Sequence, residues 1–447
     1  MKVLFIIPSG GKDLYGLGKQ GKYIPLGIAQ VAACLEEDGH NVKVIDQRLQ
    51  DIDVKAFAKR FSPDIIGFSL SFFSKDESYK MAHELGKKAI LVAGGQYATL
   101  FPEECLDNGF DVAIIGEGDY AINEILKRRD DLGKVKGIAF KKKGKIIRTP
   151  SRPAIEDLDS LPYPAIHLFS PLDYIPLPKH YRELPVYPMI TSRGCKWGKC
   201  IFCYQPTHAR RMSPSRAVDE IEYMQGKYKF REIRFWDDIF IDDTSWAVDF
   251  CDELDKRGIK ISWSAHARTD WVTKKTLMRV AKSGCWQILY GIESGDETLL
   301  RKVGKGTTIA QARNAIRWTK EARIETRISF ILGLPGETPE LADKTIQLAK
   351  ELEADVTQFS LATPYPGTKM HELYHDKILN DDFCEVLITY LPEGYKSTKE
   401  LEEKFRKAYR TIYFNPKYLF KRISAIRTYQ DLKKNLSGLR VALRRAR

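Results

Sequence analysis

Two successive series of apolar strands alternate with helical patterns, and this repetition restricts the fold more than any other feature. In the first series, the short apolar runs begin at Val3, Val42, Ile65, Ile90 and Val112, and a predicted small hairpin follows around Gly137–Phe140 and Lys145–Arg148. In the second series, six similar runs lie between Met189 and Ala362, and the first predicted strand is Met189–Ser192. Alternation of strands with helices is typical of parallel sheets that are covered on both faces. We therefore predict an α/β protein with two parallel-sheet domains.

A proline-rich stretch separates the two series, because residues 149–187 contain eight prolines and little periodicity. We predict a doubly wound, Rossmann-like parallel sheet over residues 1–148, an extended linker over 149–187 and a partial (β/α)6 barrel over 188–370. A helical region over 371–447 ends the chain. Functional groups are expected at the carboxyl ends of the strands, where both of these folds build their sites.

Basic charge is concentrated at the C-terminus. The net charge is +13, and residues 417–447 hold ten Lys or Arg and one Asp, which leaves about +4 for the rest of the chain. Apolar residues recur there with helical spacing from Leu419 to Leu443, which predicts an amphipathic basic helix. This helix either packs on the barrel, contacts a membrane surface or binds an anionic partner. Nucleic acid is unlikely as that partner, because few aromatic residues interleave the charges.

Other features place the protein in the cytoplasm, with membrane association through the tail as an open alternative. No apolar run approaches the ~20 residues that span a bilayer. The N-terminal apolar run is followed at once by Pro8 and is interpreted as a strand rather than a signal peptide. Five of the eight cysteines are scattered, and we expect them to be buried thiols rather than disulfides.

The other three cysteines, Cys195, Cys200 and Cys203, follow the first strand of the second series directly. Three thiols within nine residues can hold one metal centre and leave a fourth coordination position open. Lys196 and Lys199 would favour the thiolate forms. An alternative is a structural zinc site, since His208 completes a Cys-x4-Cys-x2-Cys-x4-His pattern.

This cluster resembles the signature of the radical S-adenosylmethionine (SAM) enzymes, whose usual spacing is Cys-x3-Cys-x2-Cys. The resemblance implies that the three cysteines hold a [4Fe–4S] cluster and that SAM occupies the fourth iron. The first interval is one residue longer here, and Gly198 could absorb the insertion because glycine tolerates unusual backbone angles. Phe202 matches the apolar position that packs near the adenine in this family.

Further segments at the ends of barrel strands resemble the SAM contacts of the same family. Asp237 matches the segment that contacts the amino group of SAM, although the carboxylates there could also cap the next helix. Arg268 and Glu293 match the contacts to the SAM carboxylate and ribose, because an arginine can grip a carboxylate and a carboxylate can hold two hydroxyls. A buried ion pair is the alternative interpretation of these two residues.

The strand ends of the first domain are rich in small residues that allow a large cofactor to approach the backbone: Ser9, Ser69, Gly94, Gly95, Gly116 and Gly118. A domain of this pattern before a radical SAM barrel resembles the cobalamin-binding radical SAM class, although a ligand-free domain stays an alternative. The Asp-x-His-x-x-Gly motif that supplies a cobalt ligand elsewhere is missing after the first strand. Tyr97 stands where a histidine is common.

The resemblance implies a radical SAM enzyme that methylates an unactivated position of a small-molecule or lipid-like substrate. A 5′-deoxyadenosyl radical would abstract hydrogen, methylcobalamin would deliver the methyl group, and an external one-electron reductant would supply the cluster. The alternatives are ring closure or carbon–carbon bond formation with or without cobalamin, and a zinc-stabilised binding protein without enzymatic activity.

Overall fold

The computed structural model describes residues 1–10, 20–204, 208–381 and 383–424, together with 436, 438 and 443–445. The described chain forms two compact units, and the boundary lies between Ile175 and Pro176. The predicted linker is therefore divided, because residues 149–175 belong to the first unit. Within that unit, Ala165 N donates to Ala29 O at 2.9 Å, and the buried Tyr174 hydroxyl donates to Asp46 at 2.8 Å. These hydrogen bonds hold the stretch to the rest of the first unit.

The first unit contains a seven-stranded sheet in the order β2-β1-β3-β4-β5-β6-β7. Its strands are β1 (Lys2–Ile7), β2 (Asn41–Asp46), β3 (Ile65–Ser69), β4 (Ile90–Gly94), β5 (Val112–Ile114), β6 (Ile138–Lys142) and β7 (Lys145–Arg148). The first five are parallel, as predicted. The last two form the predicted hairpin, which extends the sheet because β6 pairs antiparallel with β5.

Two apolar cores cover the two faces of this sheet. Along β1, Val3, Phe5 and Ile7 enter one core, while Leu4 and Ile6 enter the other. A strand with both sets buried belongs to a sheet covered on both faces, which confirms the doubly wound arrangement. The helices of this unit are α1 (Leu26–Glu37), α2 (Val54–Phe61), α3 (Lys75–Leu85), α4 (Gly95–Leu100), α5 (Pro102–Asp107) and α6 (Ala121–Lys127).

The second unit contains six parallel strands in the order β15-β14-β13-β12-β11-β8, which confirms the partial barrel. They are β8 (Val186–Met189), β11 (Glu232–Phe235), β12 (Ser262–Ala267), β13 (Cys285–Glu293), β14 (Glu325–Leu332) and β15 (Val356–Leu361). The first strand begins earlier than the predicted Met189–Ser192. The reason is that β9 (Ser192–Arg193) pairs instead with the antiparallel β10 (Arg210–Arg211).

Local capping sets where most helices of the second unit begin. These helices are α7 (Pro214–Tyr228), α8 (Thr244–Lys256), α9 (Lys274–Lys282), α10 (Glu297–Lys302), α11 (Ile309–Glu321), α12 (Pro339–Leu352), α13 (Lys369–Tyr374), α14 (Thr398–Tyr413) and α15 (Pro416–Ser424). The first eight begin after a Ser, Thr or Asp whose side chain accepts hydrogen bonds from first-turn amides. Thr308 and Gln311 form a complete capping box before α11.

The described start of the predicted basic tail forms α15, whereas most of the tail lies outside the described residues, so the rest of its helix stays a prediction. Of its described positions, Leu419, Leu436 and Arg445 border a cavity in the second unit. Within the described part of the chain, we find no helix with the length and hydropathy needed to cross a membrane.

Candidate active site

The three clustered cysteines lie in residues 194–204, which follow β9 beyond the carboxyl end of β8. We call this segment the cysteine loop. Gly194 and Gly198 on this loop have φ of +89° and +55°, angles that residues with a Cβ rarely adopt. The conformation of Gly198 agrees with its predicted role of absorbing the inserted residue. A backbone hydrogen bond of 3.1 Å from Cys203 N to Cys200 O closes a tight turn between the second and third thiols.

The thiols influence one another electrostatically. Although Cys203 is exposed as a residue, its sulfur lies in crowded surroundings, and desolvation raises the pKa of the thiol to about 12, with further contributions from Cys200, Asp238 and Cys195. Burial likewise raises the pKa of Cys200, while Lys305 and Arg268 oppose that shift. A bound cation would reverse this preference, because coordination stabilises the thiolate.

The donor set fits an iron–sulfur cluster in its chemistry, since three thiols from one loop match the ligands that such clusters take. The described residues do not, however, contain three His, Cys, Asp or Glu side chains already gathered into a metal-binding group. This holds equally for the zinc alternative with His208, which is exposed. The ligand roles of Cys195, Cys200 and Cys203 therefore stay predictions.

A second loop, residues 303–306 after α10, anchors the cysteine loop; we call it the anchor loop. Trp197 Nε1 donates to Gly304 O at 2.7 Å, and Ile201 N donates to Val303 O at 3.0 Å. Gly304 and Gly306 have φ of +70° and +71°. A Cβ at Gly304 would overlap the backbone of Lys199, and one at Gly306 would overlap the Trp197 ring. The two loops thus pack so closely that only glycine fits at both positions.

The anchor loop also joins the two residues that were predicted to contact SAM. Lys305 Nζ donates to Glu293 Oε1 at 2.8 Å, and Arg268 donates to the backbone oxygen of Lys305 at 2.9 Å. Arg268 further forms a bidentate pair with Asp270, with distances of 3.0 and 2.9 Å, and lies 4.4 Å from the ring centroid of Trp197. Arg268 and Glu293 are therefore both held in buried ion pairs, the predicted alternative, but with other partners.

The backbone of Glu293 has an unusual conformation. It ends β13 beside a register shift, and its φ of +68° is rare for a residue other than glycine. Such strained residues persist only where their surroundings hold them, and they cluster at functional sites. Its carboxylate and the thiol of Cys200 are close enough that the charge of Glu293 raises the pKa of that thiol. Glu293 and Arg268 thus lie beside the cysteine loop, and their contacts to SAM stay predictions.

Asp237 lies next to the segment that leads into the cysteine loop. Its buried carboxylate accepts hydrogen bonds from the Thr191 amide and hydroxyl and from the Ser192 hydroxyl, at 2.6 to 3.2 Å. It therefore fixes this segment, and its contact to the amino group of SAM stays a prediction. Neither Asp237 nor Asp238 caps α8, because Asp243 does so. Burial and the charge of Asp237 raise the pKa of Asp238 to about 6.

Phe202 packs at the edge of a small apolar cluster that includes Val303 and Met370. It also borders a cavity of about 830 Å³ inside the second unit. This cavity, which we call the barrel cavity, has a volume typical of sites for small organic ligands. Glu293 borders it as well, so the cavity adjoins the residues around the cysteine loop. The cavity extends from the carboxyl ends of the strands, at Glu293 and Leu361, into the barrel interior, at Arg327 and Val356.

Several basic side chains in the wall of the barrel cavity were not predicted from the sequence, among them Arg234, Arg327, His180 and His266. Arg234 donates to the Ser264 hydroxyl at 3.0 Å and to His266 Nε2 at 3.2 Å. A signal for two of them was available. Strands buried in parallel sheets are usually continuous apolar runs, so an arginine in the middle of β11 and another in β14 indicate a polar interior.

The predicted cobalamin-facing residues lie together at the carboxyl edge of the first sheet: Ser9, Ser69, Gly94, Gly95, Gly116 and Gly118. Gly95 and Gly116 are exposed, and each has a φ of +89°. Among the described residues, a Cβ at Gly116 would meet no atom within 4 Å. An exposed glycine backbone at this edge would allow a large planar cofactor to approach closely. The Ser9 hydroxyl is engaged internally, because it donates to Glu77 at 2.7 Å.

Tyr97 does not replace the missing histidine. Its ring is buried, and its hydroxyl donates to Glu104 at 2.8 Å. The three histidines of the first unit lie at the opposite edge of the sheet. His40 immediately precedes β2 and contacts the N-terminal amine, and His167 contacts Glu36 at the end of α1. His83 lies beside Gly109, before β5. That cobalamin binds without a histidine from the loop after β1 stays a prediction.

Comparison with known protein families gives two matches along the chain. The B12 binding domain matches residues 18–126, and the radical SAM superfamily matches residues 189–349. The two matches fall on the two units of the structure in the predicted order.

Individual proteins agree with these matches. An uncharacterized methyltransferase of Pyrococcus horikoshii is 30% identical over 446 residues, which are 95% of this chain and 95% of that protein. The anaerobic magnesium-protoporphyrin IX monomethyl ester cyclase of Rubrivivax gelatinosus is 28% identical over 94% of this chain and 78% of its own. Among solved structures, the radical SAM methyltransferase TsrM of Kitasatospora setae has a TM-score of 0.72 at 17% identity, with 93% of this chain and 89% of that chain covered. The last likeness shows a shared fold.

Proposed function

Because the chain belongs to the radical SAM superfamily, in the branch that carries an N-terminal B12-binding domain, we propose that it is a cobalamin-dependent methyltransferase. The observation that carries the proposal is the full-length similarity to the Pyrococcus horikoshii methyltransferase, which spans both units. The cofactors of the branch are a [4Fe–4S] cluster, SAM and cobalamin. When bound, the cluster and SAM supply a radical that abstracts hydrogen, and cobalamin supplies the methyl group.

Different parts of the chain would bind and orient the cluster, SAM, the corrin and the substrate. The cysteine loop would hold the cluster, with Trp197 and the anchor loop fixing its position. Glu293 and Arg268 lie next to that loop and offer a carboxylate and a guanidinium for the ribose and carboxylate of SAM. The carboxyl edge of the first sheet, with Gly95 and Gly116 exposed, would receive the corrin. A small molecule in the barrel cavity would be the substrate, shielded from water by the apolar wall.

The proposal is tested by the products that the reconstituted full-length protein forms from SAM under anaerobic conditions. With reductant and cobalamin present, we expect both 5′-deoxyadenosine and S-adenosylhomocysteine, because hydrogen abstraction and methyl supply each consume one SAM. Omission of cobalamin should suppress S-adenosylhomocysteine selectively. Formation of 5′-deoxyadenosine alone, whether cobalamin is present or absent, would contradict the proposal of methyl transfer.

Ring closure is the second candidate, and one observation favours it. The Rubrivivax gelatinosus relative, 28% identical over 94% of this chain, is named as a cyclase. In the same assay a cyclase would form 5′-deoxyadenosine without a stoichiometric amount of S-adenosylhomocysteine, so the product ratio separates the two candidates.

A further inference from the structure

Two arginines lie inside the second unit, in the wall of the barrel cavity. Arg234 is 1% exposed and Arg327 is 6% exposed, and both border the cavity. The sheet register places His266, Leu289 and Arg327 side by side on three neighbouring strands. Since side chains that are adjacent across a parallel sheet point to the same face, the groups converge on one region of the cavity.

Hydrogen bonds to neutral acceptors fix the orientation of both guanidinium groups. Arg234 donates to Ser264 Oγ at 3.0 Å, to Gln287 Oε1 at 3.4 Å and to His266 Nε2 at 3.2 Å. Arg327 donates to Gln358 Oε1 at 2.7 Å. These bonds fix the orientation of the two guanidinium groups in the cavity wall, and planar guanidinium forks match the geometry of oxyanions. Two carboxylates also border the cavity: Glu293, which is paired with Lys305, and Glu385.

The pKa values of His266 and His180 reflect the positive electrostatic potential of the two arginines. Burial lowers the pKa of His266 to about 3, and the positive charges of Arg234 and Arg327 lower it further. The pKa of His180 is lowered by burial and by the same two arginines. Nδ1 of His180 has no hydrogen-bond partner within the part of the chain that the structure describes. The region therefore combines a positive potential with a polar atom available to a ligand.

The rest of the wall is largely apolar. Leu289, Phe330, Phe359, Leu361 and Leu419 border the same cavity. Its volume of about 830 Å³ exceeds what a lone inorganic anion would fill. The ligand must therefore offer both an anion and apolar surface.

We propose, as an extension of the methyltransferase function, that the substrate carries an oxyanion, a phosphate or a carboxylate, on an apolar body. Arg234 and Arg327 bind the oxyanion, with His180 beside them, and the apolar wall receives the body. Guanidinium groups suit this role because their planar forks match the geometry of both oxyanions. The arginines thus select the substrate class and set which carbon of the body faces the radical.

Anaerobic isothermal titration calorimetry with the reconstituted full-length protein tests this proposal with ligands of matched length. The probes are octyl phosphate, octanoate, octanol, octylammonium and inorganic phosphate. We expect octyl phosphate or octanoate to bind at least tenfold more tightly than octanol, and the stronger of the two identifies the oxyanion. Inorganic phosphate should bind more weakly than octyl phosphate, because it lacks the apolar body.

Arg327→Gln should abolish the preference for the anion, whereas Arg317→Gln, a control on the exposed face of α11, should retain it. Equal binding of octanol and both anions, or an unchanged preference in Arg327→Gln, would overturn the proposal. If Arg327→Gln does not fold, as judged by circular dichroism, the ligand comparison on the wild-type protein still decides. Because no SAM turnover is measured, failure of methyl transfer leaves the result intact. Conversely, proven methylation without a preference for anions would refute only this inference.

Discussion

The close packing of the cysteine loop on the anchor loop makes Gly306 the most informative position for a substitution. Gly306→Ala places a Cβ against the Trp197 ring at a residue with φ of +71°. The backbone conformation alone costs a non-glycine residue about 1–2 kcal/mol. Displacement of a packed side chain adds about 1–3 kcal/mol. We therefore expect a total cost of about 2–5 kcal/mol, together with a displaced cysteine loop.

Gly258 provides a matched control in the same unit. Its φ is +66°, and a Cβ there would meet no atom within 4 Å. Gly258→Ala should therefore show the backbone cost alone. Differential scanning calorimetry separates the two contributions, because about 1 kcal/mol shifts the midpoint of a unit of this size by about 2–4 °C. We expect a decrease of about 2–8 °C for the control and a larger decrease, about 4–20 °C, for Gly306→Ala.

Iron content after anaerobic reconstitution then tests whether the substitution affects cluster binding. The control should bind as much iron as the wild type, whereas Gly306→Ala should bind substantially less, because Trp197 can no longer hold the cysteine loop in place. Equal midpoints and equal iron contents for the two variants would refute the idea that the anchor loop positions the cluster ligands.

Four further tests concern other residues of the chain. Replacement of any one of the three clustered cysteines by alanine should abolish both iron binding and SAM cleavage, and full activity in one variant would refute the ligand assignment. Lys305→Met should lower stability by about 3–5 kcal/mol in calorimetry, since it leaves the Glu293 carboxylate buried without its cation. Burial raises the pKa of Glu337 to about 7 from 4.5, so the folded state prefers the protonated carboxyl and stability should decrease by about 3 kcal/mol as the pH rises from 4.5 to 7. Glu337→Gln should remove that decrease in urea unfolding, and an unchanged slope would contradict it. For bound cob(II)alamin, labelling the protein histidines with ¹⁵N should leave the electron paramagnetic resonance spectrum unchanged.

Local patterns were sufficient to predict the architecture and the cysteine loop. The apolar runs of β1 to β5 and of the barrel strands are visible in the sequence because burial on both faces demands continuous apolar residues. The glycines at the ends of β4 and β5 could be assigned to the ligand-binding edge for the same local reason. The hairpin β6–β7 was also predicted, but its pairing with β5 depends on a long-range contact that no local pattern encodes.

Contacts between distant segments account for what the sequence did not reveal. The ion-pair alternative for Glu293 was predicted, but its partner Lys305 lies on the anchor loop. The structural role of the glycines in that loop depends on their packing near Trp197, which the sequence does not show. The convergence of Arg234 and Arg327 depends on the register of β11 to β14, so their separation in sequence conceals it. The hydrogen bonds that join Asp237 to Thr191 likewise connect segments 46 residues apart, so no local pattern indicates them.

The fate of the SAM methyl group tests the central claim most directly. The full-length protein, reconstituted anaerobically with iron, sulfide and cobalamin, would be given reductant and SAM that carries a CD3 methyl group, and the protein-bound corrinoid would be analysed by mass spectrometry. A cobalamin-dependent methyltransferase predicts a CD3 group on the corrinoid and an equal amount of S-adenosylhomocysteine, with 5′-deoxyadenosine formed alongside and lost in the Cys203→Ala variant. An unlabelled corrinoid in a protein that still forms 5′-deoxyadenosine would contradict methyl transfer.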